Sequence, residues 1–194
     1  MANIDAPRGF TPVRYKNGKP YSGAARMYYK DTTAGIIGVG DPVIRVTNSS
    51  DPLGNPEIVR ATTGAAITGV VVAIVPDSSR PNQVGYLSAS DVGYVMVADD
   101  PDLLFEVQEV SGGTALAVTN IGEHIDSVTA INASSVIGRS QYEIDNAALA
   151  TDNTWIIEGL VQRPDNAVGE HAKWLVSANL HTEVNAGVTN RKEI

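Results

Sequence analysis

A chain of 194 residues, 43% of them hydrophobic, is long enough to bury a core and too apolar to stay wholly disordered. It has no cysteine, which excludes a disulfide framework, a thiolate metal site and a cysteine nucleophile. A net charge of -8 sets the molecule as a whole against nucleic acid and anionic surfaces.

The charge is unevenly spread. Residues 1–33 hold Arg8, Arg14, Lys16, Lys19, Arg26 and Lys30 against Asp5 and Asp31, a local +4 that leaves -12 for the remainder. Phe10, Tyr15, Tyr21, Tyr28 and Tyr29 are interleaved with those cations, and the stretch has neither helical nor strand periodicity. Disordered tails are poor in aromatics. Residues 1–33 are therefore read as an extended N-terminal arm, ordered by lying on a partner or on its own body. The start, MANIDAPRGF, has no apolar run of the kind a secretory signal needs. No stretch approaches the roughly 20 apolar residues of a membrane span.

From Ala34 onward the signals are those of strands. Gly40-Asp41-Pro42 turns into a strand over Val43–Val46, and Asp51 to Pro56 forms a loop, because proline fixes φ while Gly and Asn accept positive φ. The β-branched run Ile67–Val75 predicts a buried strand, and Gly93–Ala98 a short one closed by Asp99-Asp100-Pro101-Asp102. Leu103, Phe105 and Val107 alternate with Leu104, Glu106 and Gln108, the period-2 pattern of a half-buried strand. Ala130–Ile137, Thr154–Val161 and Lys173–Leu180 are further candidates, the last with Trp174, Val176, Ala178 and Leu180 on one face. Thr119–Ile125 and Asp145–Leu149 are read as short helices or loops. The expectation is an all-β chain: a barrel or sandwich-like body over 34–183, the extended arm, and few short helices. A subdomain boundary near 112–128 and a polar C-terminal tail over 184–194 complete the division.

The residues offer little chemistry. Only His124, His171 and His181 could act as a base, and no serine sits in a Gly-x-Ser-x-Gly elbow. His171 and His181 are ten apart without further ligands nearby in sequence, so satisfied or exposed histidines are expected rather than zinc. Asp99, Asp100 and Asp102 could hold Ca2+, but they lack the glycine and terminal glutamate of an EF-hand loop and read as a solvated turn. No phosphate-cradling glycine motif appears. A carboxylate pair for glycoside hydrolysis carries little weight, since 22 acidic residues produce coincidental pairs. Asn48-Ser49-Ser50 and Asn132-Ala133-Ser134 fit the glycosylation pattern only in a secreted chain. Stacking aromatics beside cations raise single-stranded nucleic acid as a ligand for the arm, against the charge of the body. No catalytic residue, cofactor or metal is expected.

Several phrases in order carry a resemblance: Gly9-Phe10-Thr11-Pro12-Val13, Gly40-Asp41-Pro42-Val43, and the run from Val97 to Gln108. Gly138-Arg139-Ser140, the run from Arg163 to Glu170, and Asn179-Leu180-His181 follow. Together they resemble a family of tailed-phage head decoration, or cement, proteins, over nearly the whole chain. The resemblance implies a non-enzymatic β-rich protein bound to the exterior of a capsid with the HK97-type fold, assembled in the host cytoplasm. Its partners would be the major capsid protein and further copies of itself, as a trimer or less often a dimer, with no nucleic acid and no membrane. Phe10, Arg14, Tyr15, Tyr21, Arg26, Tyr28 and Tyr29 are the expected contacts to capsid or sister subunit, since Tyr and Arg favour interface centres. The alternative is another virion-surface role, a tail or baseplate component or a carbohydrate-binding module, with Tyr86, Tyr94, Phe105, Tyr142, Trp155 and Trp174 as possible platforms.

Overall fold

A computed structural model describes residues 3–81, 85–128, 132–150 and 153–184. The described residues form thirteen strands: β1 Thr11–Tyr15, β2 Arg26–Lys30, β3 Ile37–Gly38, β4 Pro42–Ser50, β5 Pro56–Arg60, β6 Gly69–Ile74 and β7 Tyr86–Leu87. They continue as β8 Gly93–Ala98, β9 Leu103–Gln108, β10 His124–Ser127, β11 Ile144–Leu149, β12 Trp155–Leu160 and β13 Lys173–Ala178. Among the described residues the helical content is two single 3-10 turns, Thr32–Ala34 and Val118–Asn120. The fold is all-β, as the turn-punctuated sequence predicts.

Two sheets carry the architecture. Strands β2-β5-β4-β6-β8 close into a barrel, and β1-β9-β13-β12-β10-β11 form a six-stranded sheet. The small pair β3-β7 lies apart. Closure depends on β2, which pairs antiparallel with β8 from Arg26↔Val97 to Lys30↔Gly93 and parallel with β5 at Tyr29↔Glu57. Closing a sheet removes the exposed edges that otherwise recruit foreign strands.

The hydrophobic residues sort into two cores. One contains Tyr28, Ile37, Val43, Ile58, Val71, Leu87, Val95 and Val97. The other joins Phe105, Trp155, Trp174, Val176 and Ile144 of the six-stranded sheet to Val70 and Ala98 of the barrel strands. Consecutive residues Val70 and Val71 thus serve different cores, which is why β6 reads as a continuous apolar run. Trp155 and Trp174 are wholly buried. Burying an apolar side chain of this class contributes roughly 1.5–3 kcal/mol.

Several expectations are corrected. The first 33 residues are extended, yet they do not stand apart from the body: β1 borders the six-stranded sheet against β9, and β2 is a stave of the barrel. A boundary near 112–128 does not divide the sheets, because β9 pairs with both β1 and β13. Leu104 and Gln108 are as buried as their neighbours on β9, so that strand is covered on both faces. Asp145–Leu149 belongs to a strand. Of Thr119–Ile125, the first two residues lie in a 3-10 turn and the last two in β10. Ala130–Ile137 includes residues outside the described set. Its described part is a loop in which the Gly138 N–H donates to Ser134 O at 2.8 Å, leaving Val136 and Ile137 exposed. The tail beyond Val184 is likewise outside the described residues.

Candidate functional site

The expected contact residues divide sharply. Phe10 and Tyr28 are buried, at 1% and 2% exposure. Phe10 stacks on Trp155, and the Tyr28 hydroxyl donates to Asp99 Oδ2 at 2.8 Å. Arg26 Nε also donates to that oxygen, and its guanidinium reaches Glu183 at 3.6 Å. Tyr15 and Tyr21 pack against the sheet core, and the Tyr21 hydroxyl donates to Ala24 O at 3.0 Å. Tyr29 is tilted against Tyr94 with centroids 5.9 Å apart. Arg14 alone of the seven is exposed with no ion pair among the described residues. Phe10 and Tyr28 are thereby removed as surfaces for another molecule. An aromatic-rich, cation-rich segment here fills its own protein's core.

Lys30 explains how a basic segment can sit inside a barrel. Its side chain is buried, and Nζ donates to the carbonyls of Asp91 at 2.7 Å, Asp31 at 3.1 Å and Ala89 at 3.4 Å. Burial pulls its pKa down, with the nearby Asp91 and Asp31 carboxylates opposing that shift.

The histidines do not gather. His181 accepts from the Glu183 N–H at 3.1 Å, and His124 Nδ1 lies 3.5 Å from Asn179 Nδ2. His171 meets partners the sequence did not place nearby: Asp5, Glu143 and His171 offer ligand atoms within 4.8 Å of one another. The space between them is filled. Gln108 Nε2 lies 2.9 Å from Glu143 Oε1, 3.0 Å from Asp5 Oδ1 and 3.4 Å from His171 Nδ1. The Ala6 N–H donates to Gln108 Oε1 at 3.1 Å and fixes the direction of the amide. A cation would have to expel this amide, so the group is a latch for the N-terminal segment. Asn3 extends it, donating to Ala167 O at 2.8 Å and Glu170 O at 2.9 Å. Burial raises the pKa of Glu143.

Asp99, Asp100 and Asp102 do not converge on a cation. Asp99 takes Arg26 and Tyr28, while Asp100 Oδ1 accepts from the Asp102 N–H at 2.8 Å within the turn. Two further acids are buried among apolar groups. Asp41 accepts from the Gly38 N–H at 2.9 Å and is pushed up to about 6 by burial. Glu109 accepts from Trp174 Nε1 at 2.7 Å and is pushed up to about 7, again by burial. Asp41 has the buried Ser140 hydroxyl in hydrogen-bond reach, but with no base beside that pair among the described residues both acids serve the interior.

The phrases behind the family resemblance meet at the joints of the fold. The Phe10 N–H donates to Gly40 O at 2.9 Å, and the Ser140 N–H to Val39 O at 2.8 Å. Three separated glycine-containing phrases therefore interlock at one place. Arg163 pairs with Glu106 through two hydrogen bonds of 2.8 and 3.0 Å. The Ile67 N–H donates to Leu180 O at 3.0 Å, and the Thr182 N–H returns to Ile67 O at 2.9 Å. Among the described residues no helix is long and apolar enough to cross a membrane. No protein-family model, curated protein or solved structure matches the chain.

Proposed function

We propose that this chain is a decoration protein that binds the exterior of an HK97-type phage capsid as a small homo-oligomer, a trimer first, and stabilises the lattice. The observation that supports the reading is the interlock of the family-like phrases. Gly9-Phe10, Gly40-Asp41 and Gly138-Arg139-Ser140 are far apart in sequence and lie against one another in the fold. Such phrases specify a rigid shape. A protein that works by repeated identical contacts needs shape above all, because each contact is modest and the shell multiplies it. Binding the assembled lattice but not its free parts would stabilise it by mass action.

The carbohydrate-binding alternative loses support. Of its candidate platforms, Phe105, Tyr142, Trp155 and Trp174 are buried, leaving Tyr86 and Tyr94 half-exposed.

The test is direct: purified full-length protein is mixed with expanded, undecorated capsids of the phage that encodes it. Co-sedimentation at a fixed ratio to the major capsid protein, and higher capsid melting temperature, are expected. Capsids that neither retain the protein nor gain stability would refute the proposal. Deleting residues 1–33 is not a binding test, because it removes a stave of the barrel.

A further inference from the structure

We infer that a groove beside residues 6–12, where the chain enters β1, binds an acidic peptide carrying an aliphatic side chain beside its carboxylates. Two adjoining hollows form it. The larger, about 610 Å³, is lined by Arg8, Arg139, Arg163 and Lys173 against only Glu106 and Asp165 among charged residues. The smaller, about 230 Å³, presents Pro12, Tyr21, Val39 and Val72. Arg8, Thr11 and Arg139 line both, so one cationic end and one apolar end share a wall.

The charges in this groove depart from the rest of the chain. Acidic residues outnumber basic ones 22 to 14, and most exposed arginines elsewhere have found a carboxylate. Arg163 is satisfied by Glu106 and lies 3.6 Å from Asp165. Arg8, Arg139 and Lys173 have no carboxylate within ion-pair distance among the described residues. Three such cations around one hollow favour an anion, and guanidinium groups favour planar carboxylates held by paired hydrogen bonds.

The apolar end decides the class of anion. Free phosphate would use the cationic hollow and leave the apolar one idle. A nucleic acid would carry phosphates beyond the groove, over a body whose charge is -12 outside residues 1–33. A short acidic peptide confines its charge to the groove and places one aliphatic side chain against Val39 and Val72. The inference does not depend on the capsid reading, since the peptide's parent protein is left open.

The experiment titrates full-length protein, at low salt, into a fluorescein-labelled peptide pool. Each peptide has one Leu or Ile flanked by Asp and Glu, and a second pool carries Asn and Gln instead. Saturable anisotropy with the acidic pool alone is expected. Arg8→Ala and Arg139→Ala, both at exposed positions, should each weaken binding about tenfold, the equivalent of one charge-assisted hydrogen bond. Their thermal midpoints should match the parent's, which separates lost binding from lost folding. Replacing the aliphatic residue by Gly should weaken binding too. The inference is overturned if neither pool binds, if both bind alike, or if the arginine variants bind like the parent. Tighter binding of an oligothymidylate, or displacement of the peptide by equimolar inorganic phosphate, would overturn it equally.

Discussion

The Phe10 ring lies almost flat on the Trp155 indole, with centroids 4.1 Å apart and planes 14° apart. Phe105 meets the same indole edge-on at 5.7 Å. Trp155, on β12, is thus held by β9 on one side and by the segment preceding β1 on the other. Offset and edge-to-face pairs add roughly 0.5–1.5 kcal/mol beyond the area they bury.

Phe10→Ala should therefore lower stability by about 3–5 kcal/mol, the usual range for deleting a buried aromatic. That is a large share of the roughly 5–15 kcal/mol that holds a domain folded. Arg14→Ala, at an exposed position in the same stretch, should change stability by less than about 0.5 kcal/mol. Equilibrium urea unfolding of both variants checks the contrast. Equal midpoints would mean that the first residues are an appendage after all.

Gly9 sits where two constraints act together. Its φ is +68°, and a Cβ there would lie 2.3 Å from Ser140 Cβ and 2.5 Å from Gly40 O. Gly9→Ala must push apart two backbones as well as adopt a left-handed conformation. Gly18 has φ +86° but open space around it. Gly18→Ala should cost about 1–2 kcal/mol, the strain alone, and Gly9→Ala clearly more. Thermal melts of the two variants, side by side, separate steric contact from strain.

What was legible followed from local pattern. β8 and β13 show themselves because the buried Val95 and Val97 flank half-exposed Met96, and the buried Trp174 and Val176 flank half-exposed Leu175. β2 was hidden because Arg26-Met27-Tyr28-Tyr29-Lys30 looks like an interface; its lysine is buried by three carbonyls contributed by distant turns and a neighbour. β11, Ile144-Asp145-Asn146-Ala147-Ala148-Leu149, has weak strand propensity and is fixed by the edge that β10 offers. The Asp5, Gln108, Glu143 and His171 latch brings together four separate segments, and no spacing rule joins those. The grouping of Arg8, Arg139 and Lys173, which have no carboxylate partner among the described residues, was invisible for the same reason: net charge locates an excess of cations in a segment, not the absence of their partners.

The latch makes its own prediction. Gln108 is 3% exposed and donates to two carboxylates. Gln108→Glu keeps the shape, removes both donors and sets a third acid beside Asp5 and Glu143. Asp5 is exposed, so the cost falls on the buried Glu143 carboxylate left without its donor, about 1–3 kcal/mol. Amide hydrogen exchange should show Ala6 losing protection before the strands do. Exchange at Ala6 unchanged from the parent would show that the amide does not hold the segment.

Asp41 and Glu109 give the pH dependence its sign. Both are wholly buried, and burial raises the first to about 6 and the second to about 7. In the unfolded chain such groups ionise near pH 4. Between about pH 4 and about pH 7 the folded protein keeps protons that the unfolded chain has released, so unfolding is accompanied by proton loss. The stabilisation from these two groups is complete below pH 4 and is lost as pH rises through about 6 and about 7, by up to roughly 1.4 kcal/mol per pH unit for each proton. Asp41→Asn can still accept from the Gly38 N–H, and Glu109→Gln from Trp174 Nε1, while neither can ionise. Urea midpoints at acid and neutral pH should therefore lie closer together in the double variant, after its acid-pH value is set equal to the parent's. A parallel profile in parent and double variant would mean that the two acids titrate as they do in the unfolded chain.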